Sequence, residues 1–422
     1  MKIHFMGNQL IWLCLLMPGI AIAAPYAPAN NPSPATVLSS NVAHQVTVPL
    51  SFEQHRPYTR LTLIGPSGHA VRALFWLDTG GGAIILSGPL AARLGLTPMG
   101  KTFKVEGNVI AATQLPKILV GGLVLQLKDA NAFLVADKKS TLDRTGAEGA
   151  LPLRALRRYQ VVLNYPRARL RIAQPGALRP EGRQVAAHFS KPGFIAVTAT
   201  VGGKPYGFLL DSGGQYCMVS QDILAKWQEQ NPRWPQVAGA YGPANMMLGR
   251  VETSFTMLRI GSLQWGPFTL DNVGSVSRPS GNYEQMMSRL TGRAVVGSIG
   301  GNVLRHFRVD IDYPNDRLYL KRAAIGVEAP LDMVGITLEP SGNSYMIAGV
   351  AKREHDLRKG DQLLSINGTP IQGLNVAEII SRLAGMPGAT RTLTIERDGK
   401  TFSVNAPVIR IFGAQSKQIH IK

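Results

Sequence analysis

"FLLDSGGQYCMVS" runs from Phe208 to Ser220. Three apolar residues lead into Asp211, and a small hydroxyl residue and two glycines follow it. "FWLDTGGGAIILS", Phe75 to Ser87, sets the same order around Asp78. A short apolar run bounded by glycines reads as a buried strand. Gly80 and Gly213 permit a sharp bend directly after each acid. Thr79 and Ser212 offer short hydroxyls that can bond the backbone of a facing loop and lock two loops together. One Asp-Ser/Thr-Gly tripeptide is a weak signal, since a turn carboxylate capping local amides accounts for it. Two copies in matching surroundings are far more specific.

The surroundings do match. In the first half, "RALFWLDTGG" ends a strand, "SGPLAARLGL" reads as a helix and "KILVGGLVLQL" as a hairpin. "AEGALPLRALRRYQVVLNYPRARLRIA" then reads as loop, helix, strand, Tyr-Pro turn and strand. In the second half, "FIAVTATVGGKPYGFLLDSGG", "SQDILAKWQEQ", "FTMLRIGSLQWGPFTL" and "AVVGSIGGNVLRHFRVDIDYPNDRLYLKR" repeat that order. Asp78 and Asp211 are 133 positions apart, and Tyr165 and Tyr313 are 148 apart. A repeat of this length means two similar lobes rather than a solenoid.

Two such lobes related by a pseudo-twofold axis bring Asp78 and Asp211 together. Neighbouring carboxylates do not both ionise easily, so they share a proton. The charged member can deprotonate a bound water, and the protonated member can donate to the carbonyl oxygen of an amide. Gly81 and Gly214 follow the two tripeptides and bring no hydroxyl to either acid, so the dyad is expected to ionise at a higher pH than one with such donors.

These repeats resemble retropepsin-type aspartic protease domains fused in one chain, as in the bilobal pepsin-like architecture. "LDTG" and "LDSG", with "EGALP" and "VVGSIGG" downstream, carry the resemblance over about residues 41 to 325. It implies a mainly β fold in which Asp78 and Asp211 are catalytic and Thr79, Gly80, Ser212 and Gly213 support the active loops. Two stretches are candidate flaps, "EGNVIA" near Gly107 and "GAYGPANMM" with Tyr241. Gly81 and Gly214 depart from the pattern, since pepsin-like enzymes usually have Ser or Thr there and retropepsins Ala.

After Lys321 the character changes. "KGDQLLSINGTPI" resembles a PDZ domain of the type found in exported bacterial proteases. The stretch has strands at "SYMIAGV", "DQLLSING" and "TRTLTIER" and a helix at "NVAEIISRLAG", so a small α/β unit is expected. "MVGIT" would supply the carboxylate-binding amides of a peptide groove, from Met333, Val334, Gly335 and Ile336. Two uses are open to this unit: capture of a C-terminal peptide, or packing that orients the protease.

The N-terminus reads as an address. Lys2 and His4 precede the apolar run "LIWLCLLMPGIAIA", and Ala21-Ile22-Ala23 fits a small-x-small cleavage site. The expected division is a signal peptide at 1–23, a Pro/Asn/Ser-rich linker at 24–40, lobe 1 at 41–180, lobe 2 at 184–325, a PDZ-like domain at 328–412 and a tail at 413–422. Export places the protein in the periplasm or outside the cell. Cys14 leaves with the signal, so Cys217 has no intrachain partner and is read as a small buried apolar residue.

Composition bounds the rest. With 422 residues, 45% of them hydrophobic, the chain can bury a large core over several domains. The net charge is +19, but apart from small clusters such as "RALRRY" and "PRARLR" the basic residues are scattered. That pattern argues against nucleic acid and for weak attraction to an anionic envelope surface. The eight histidines show no metal-ligand spacing and no phosphate loop is present, so no metal or cofactor is expected. The partners implied are peptide or protein substrates, with a C-terminal peptide as the candidate ligand of the PDZ-like unit. The alternative to an aspartic endopeptidase is a non-cutting peptide-binding adaptor on the same scaffold. A glycosidase is the poorer reading of two carboxylates, because aromatic residues are only 7% of the chain and suggest no sugar cleft.

Overall fold

The strand Ala70–Asp78 shows how the acids are placed. Val71, Ala73, Phe75 and Leu77 point into the core, while Ala70 and Arg72 face solvent. This two-residue period is that of a pleated strand with one buried face. Trp76 is buried as well, so the strand ends inside the protein and delivers Asp78 there. Lys204–Leu210 does the same for Asp211, with Phe208, Leu209 and Leu210 all buried.

A computed structural model describes residues 44–409, apart from 54, 106–107, 128–129, 136–141, 143–145, 235, 239–255, 324–331, 342–343, 352–355 and 375. The protein is mainly β. In lobe 1 the strands are ordered Met99–Val105, Asn108–Thr113, Ala132–Val135, Ile84–Leu86, Gly149–Pro152, Ala70–Asp78, Arg56–Ile64, Lys117–Val120 and Leu123–Val124, and Ser51–Glu53 pairs with Arg56–Ile64. In lobe 2 the order is Ala187–Phe189, Ile195–Val201, Lys204–Leu210, Gly297–Ile299, Cys217–Ser220, Phe268–Arg278, Thr256–Trp265 and Gln236–Ala238. Ile195–Val201 also pairs with Thr256–Trp265, which curls this sheet back on itself.

Each lobe wedges a short strand beside its acid. Gly149–Pro152 runs parallel to Ala70–Asp78 and antiparallel to Ile84–Leu86. Gly297–Ile299 runs parallel to Lys204–Leu210 and antiparallel to Cys217–Ser220. The loop expected over "EGALP" is therefore a strand. It is four residues long and buried throughout, so it carries no alternation from which to read it.

A six-stranded sheet joins the lobes in the order Gln45–Pro49, Arg169–Ala173, Gln160–Asn164, Phe307–Asp312, Arg317–Arg322 and Arg183–Val185. Its central antiparallel pair matches Val162 with Asp310. That separation equals the 148 positions between the Tyr-Pro turns, so the pseudo-twofold axis passes through this residue pair. One apolar cluster runs through this sheet from Val48 in lobe 1 to Leu320 in lobe 2.

The C-terminal sheet has the order Met333–Val334, Lys400–Ile409, Thr390–Arg397, Gln362–Ile366, Ser344–Val350 and Ile336–Ser341. The helix Val376–Leu383 packs Ile379 and Leu383 against it. Its apolar cluster also takes in Tyr216, Met218, Met257 and Val276 of lobe 2, with Tyr283 at the margin.

Candidate active site

The two Asp loops interlock. Thr79 Oγ1 donates to Leu210 O at 2.8 Å and accepts Ser212 N–H at 2.7 Å. Ser212 Oγ donates to Leu77 O at 3.0 Å and accepts Thr79 N–H at 3.0 Å. Both side chains are buried, so each hydroxyl satisfies two backbone groups that water does not reach. The strands below are rigid, and this lock transmits their rigidity to the carboxyls.

The acids sit across this lock. Gly80 N–H donates to Asp78 Oδ1 at 2.8 Å, and Gly214 N–H donates to Asp211 Oδ1 at 3.0 Å. A Cβ on Gly213 would lie 2.5 Å from Asp78 Oδ1, and one on Gly80 would lie 2.8 Å from Asp211 Oδ1. Each glycine therefore makes room for the acid of the other lobe.

Asp78 is half-buried and Asp211 is buried. Desolvation and then the charge of Asp211 push the Asp78 carboxyl up to about 8, against the pull of Gly80 N–H and Arg56. Burial also raises Asp211, opposed by Gly214 N–H, by the Ser298 hydroxyl and by Arg56. Each carboxyl lies against the glycine of the other loop, so the two acids share one enclosed site. Both acids are thus held above the ordinary carboxylate range, and a pair that shares one proton is the state that general acid–base chemistry needs.

Sequence reasoning missed two neighbours. Arg56 is buried, stacks 4.4 Å over Trp76 and donates from Nε to Gly213 O at 2.8 Å. Its strand comes from lobe 1 and its acceptor from lobe 2, so no local pattern announces it. Ser298 lies inside the quoted "VVGSIGG", yet its place beside Asp211 depends on which strand it pairs with. It supplies a hydroxyl that neither Gly81 nor Gly214 brings, and burial rather than missing donors is the first cause of the high dyad.

Tyr165 and Tyr313 lie under the site as buried turn residues, stacked on Phe52 and edge-on to Phe189. Cys217 is buried and its thiol is pushed up to about 12, which keeps it neutral. Tyr241 and Gly107, the flap candidates, lie outside the described residues. Among the described residues no group of three or more His, Cys, Asp or Glu is arranged to hold a metal ion.

Residues 197–288 match the aspartyl protease family model, and residues 344–396 match the PDZ domain model. The chain carries an aspartyl protease domain followed by a PDZ domain. No curated protein matches the chain. The aspartyl protease match contains Asp211 but not Asp78; the pseudo-twofold pairing brings Asp78 to it from the other lobe.

The expected carboxylate loop of the PDZ domain lies outside its matched stretch and differs from an open loop. Met333 and Val334 form a strand paired with Ile409 and Val408, and Ile336 begins the next strand. Gly335 is the single residue between them. All four are buried. The cause is packing: Met333, Val334 and Ile336 belong to the apolar cluster that takes in Tyr216 and Met218, close behind Asp211 in the chain.

Proposed function

We propose that the protein is an exported aspartic endopeptidase that hydrolyses peptide bonds in envelope proteins or peptides. The observation that carries this reading is the reciprocal Thr79–Ser212 lock, which holds the Asp78 and Asp211 loops against each other with each acid beside the other loop's glycine. A water held by the dyad attacks the carbonyl carbon. Its proton passes to the charged carboxyl, and the neutral carboxyl gives its proton to the carbonyl oxygen. The resulting gem-diol collapses as the newly protonated carboxyl gives its proton to the amide nitrogen, a gem-diol hydroxyl gives its proton to the other carboxyl, and the C–N bond breaks. The dyad then returns to its starting state with one proton.

Two features support export. They are the basic start with its apolar run, and the small-x-small site ending at Ala23. The positive charge supports weak association with an anionic envelope surface, and the PDZ domain supports peptide binding.

The test is incubation of the mature protein with a mixed peptide library across pH, with and without a statine-type inhibitor. Cleavage that the inhibitor blocks, and that Asp78→Asn and Asp211→Asn each abolish, is the expected result. Full activity in either variant removes that aspartate from the mechanism. Peptide binding without cleavage in the wild type establishes the adaptor reading instead.

A second reading of the PDZ domain has its own observation. The buried stretch Asp332 to Leu338 packs in the cluster shared with lobe 2, which suits a module that orients the protease lobe. Peptides with a free C-terminal carboxylate that bind, while their amidated forms do not, favour capture; equal behaviour of the two favours packing.

A further inference from the structure

The basic cluster "RALRRY" plays no part in the acid dyad, and the fold places it at the seam between the lobes. Leu153–Leu156 is one short 3₁₀ turn with Leu153 and Leu156 buried, and the next two residues, Arg157 and Arg158, are exposed. Together with Lys191 of lobe 2 they line one concavity of about 430 Å3.

The walls of this concavity are turns closed by their own hydrogen bonds. Lys191 lies in the turn from Ser190 to Phe194. There Gly193 N–H donates to Ser190 O at 2.7 Å, Ser190 N–H to Phe194 O at 2.9 Å and Phe194 N–H to Ser190 Oγ at 3.1 Å. Gly193 has a φ of 92°, which only glycine takes without strain. The turn Tyr313–Asn315, ended by Asp316, forms another side. Phe189 and Tyr313 stand edge-on at 5.8 Å and add an apolar wall. A ligand therefore meets a shape that is already formed, which lowers the cost of binding.

The charges in this shape do not balance. Three of the lining side chains are cations and only Asp316 is an anion, so the concavity carries a net charge of +2. A fourth cation stands beside it. Arg154 stacks 5.1 Å over Phe194 and donates to Pro192 O of lobe 2 and Gly82 O of lobe 1, both neutral acceptors. Burial, and then the Arg157 charge, hold its guanidinium below the ordinary value. Two arginine forks and a lysine point charge are the donor set that suits phosphate oxygens.

We propose that this seam binds a phosphomonoester group, carried by a lipid headgroup or by a free phosphate compound. Arg157 and Arg158 hold its oxygens from lobe 1 and Lys191 holds them from lobe 2. Such a group carries nearly two negative charges at neutral pH, which matches the net charge of the concavity. Short turns enclose the site, so it takes a compact anion rather than an extended acidic chain. The bound group ties the lobes together where Arg154 already joins the loop after Asp78 to the Lys191 turn.

The first test titrates the full mature chain with sodium phosphate, and with sodium chloride at matched ionic strength, following Tm and the heat of binding. Phosphate is expected to raise Tm saturably, as a ligand of the folded state does, and chloride is not. Arg157→Ala/Arg158→Ala and, from the other lobe, Lys191→Glu should each weaken phosphate binding by about tenfold or more, the loss of a charge-assisted hydrogen bond. All three residues are exposed, so these changes leave the core intact. Asp316→Asn should tighten binding about two- to fivefold, because it removes the opposing charge, a gain that damage to the fold would not give. The second test is sedimentation with phosphatidylcholine vesicles that contain phosphatidic acid. Retention that Lys191→Glu loses and free phosphate competes away supports the proposal with a lipid headgroup as the source. Phosphate binding without retention supports it with a free compound as the source. Absence of both, or binding that the arginine and lysine variants leave unmoved, overturns it. If oligoglutamate binds here and phosphate does not, the seam is a site for acidic peptide and the proposal falls. None of these readouts uses peptide cleavage, so the outcome is independent of the endopeptidase reading.

Discussion

Thr79 and Ser212, 133 positions apart, each donate to a backbone carbonyl of the other's strand and accept the other's own N–H. Removing either hydroxyl orphans one buried N–H and one buried carbonyl. Thr79→Val and Ser212→Ala should each cost about 2–4 kcal/mol of stability, more than the hydrogen bonds alone. Urea unfolding checks this. The double variant should cost clearly less than the sum of the two, because one variant already breaks the lock.

Gly213 and Gly214 are neighbours with different duties. A Cβ on Gly213 would meet the Asp78 carboxyl at 2.5 Å, whereas one on Gly214 would meet nothing nearer than Tyr216 O at 3.2 Å. Gly213→Ala should therefore lose at least about 100-fold in kcat/KM, as displaced catalytic groups do. Gly214→Ala should stay within about tenfold of wild type. Gly81→Ser is no simple gain of a hydroxyl, because its Cβ would come 2.8 Å from Asp78 Oδ2.

Stability should fall as pH rises. Asp78 is raised from 3.8 to about 8 in the folded protein, chiefly by desolvation and the charge of Asp211. Between these values the folded state holds a proton that the unfolded chain has released, so the unfolding free energy declines with pH. For Asp78 alone each pH unit inside the window is worth at most about 1.4 kcal/mol, and its contribution ends above about 8. Thermal unfolding at a series of pH values should show a higher Tm near pH 5 than near pH 8. Asp78→Asn should flatten that dependence.

Mass spectrometry of protein from its native host should find a chain that starts at Ala24. A mature species that keeps Met1 or Lys2 would contradict the signal-peptide reading.

The aspartate loops were legible because their signal is local and repeated. An apolar run, an acid, a small hydroxyl and glycines each occupy consecutive positions, and the second copy removes most of the ambiguity. The hairpin at Lys117–Val120 and Leu123–Val124 and the helix Gln221–Gln230 were legible for the same reason. The helix Asn282–Thr291, which carries Tyr283, was not read. It is amphipathic only over ten residues, and its start is marked by Gly281 accompanied by Glu284 rather than by an ordinary cap.

By itself the sequence determined the repeated acid, the two-lobe plan and the change of character after Lys321, since all three are written in residue order. Only the tertiary structure decided what surrounds the acids. Gly149–Pro152 and Gly297–Ile299 become strands because a vacant place between two others accepts them, not because of their own pattern. Arg56 reaches Gly213 across the lobes, and the register of a parallel ladder sets Ser298 opposite Leu209, two residues before Asp211. A one-residue slip in that ladder would turn Ser298 away from the site, and no local sequence preference sets that register; the packing of the two lobes does.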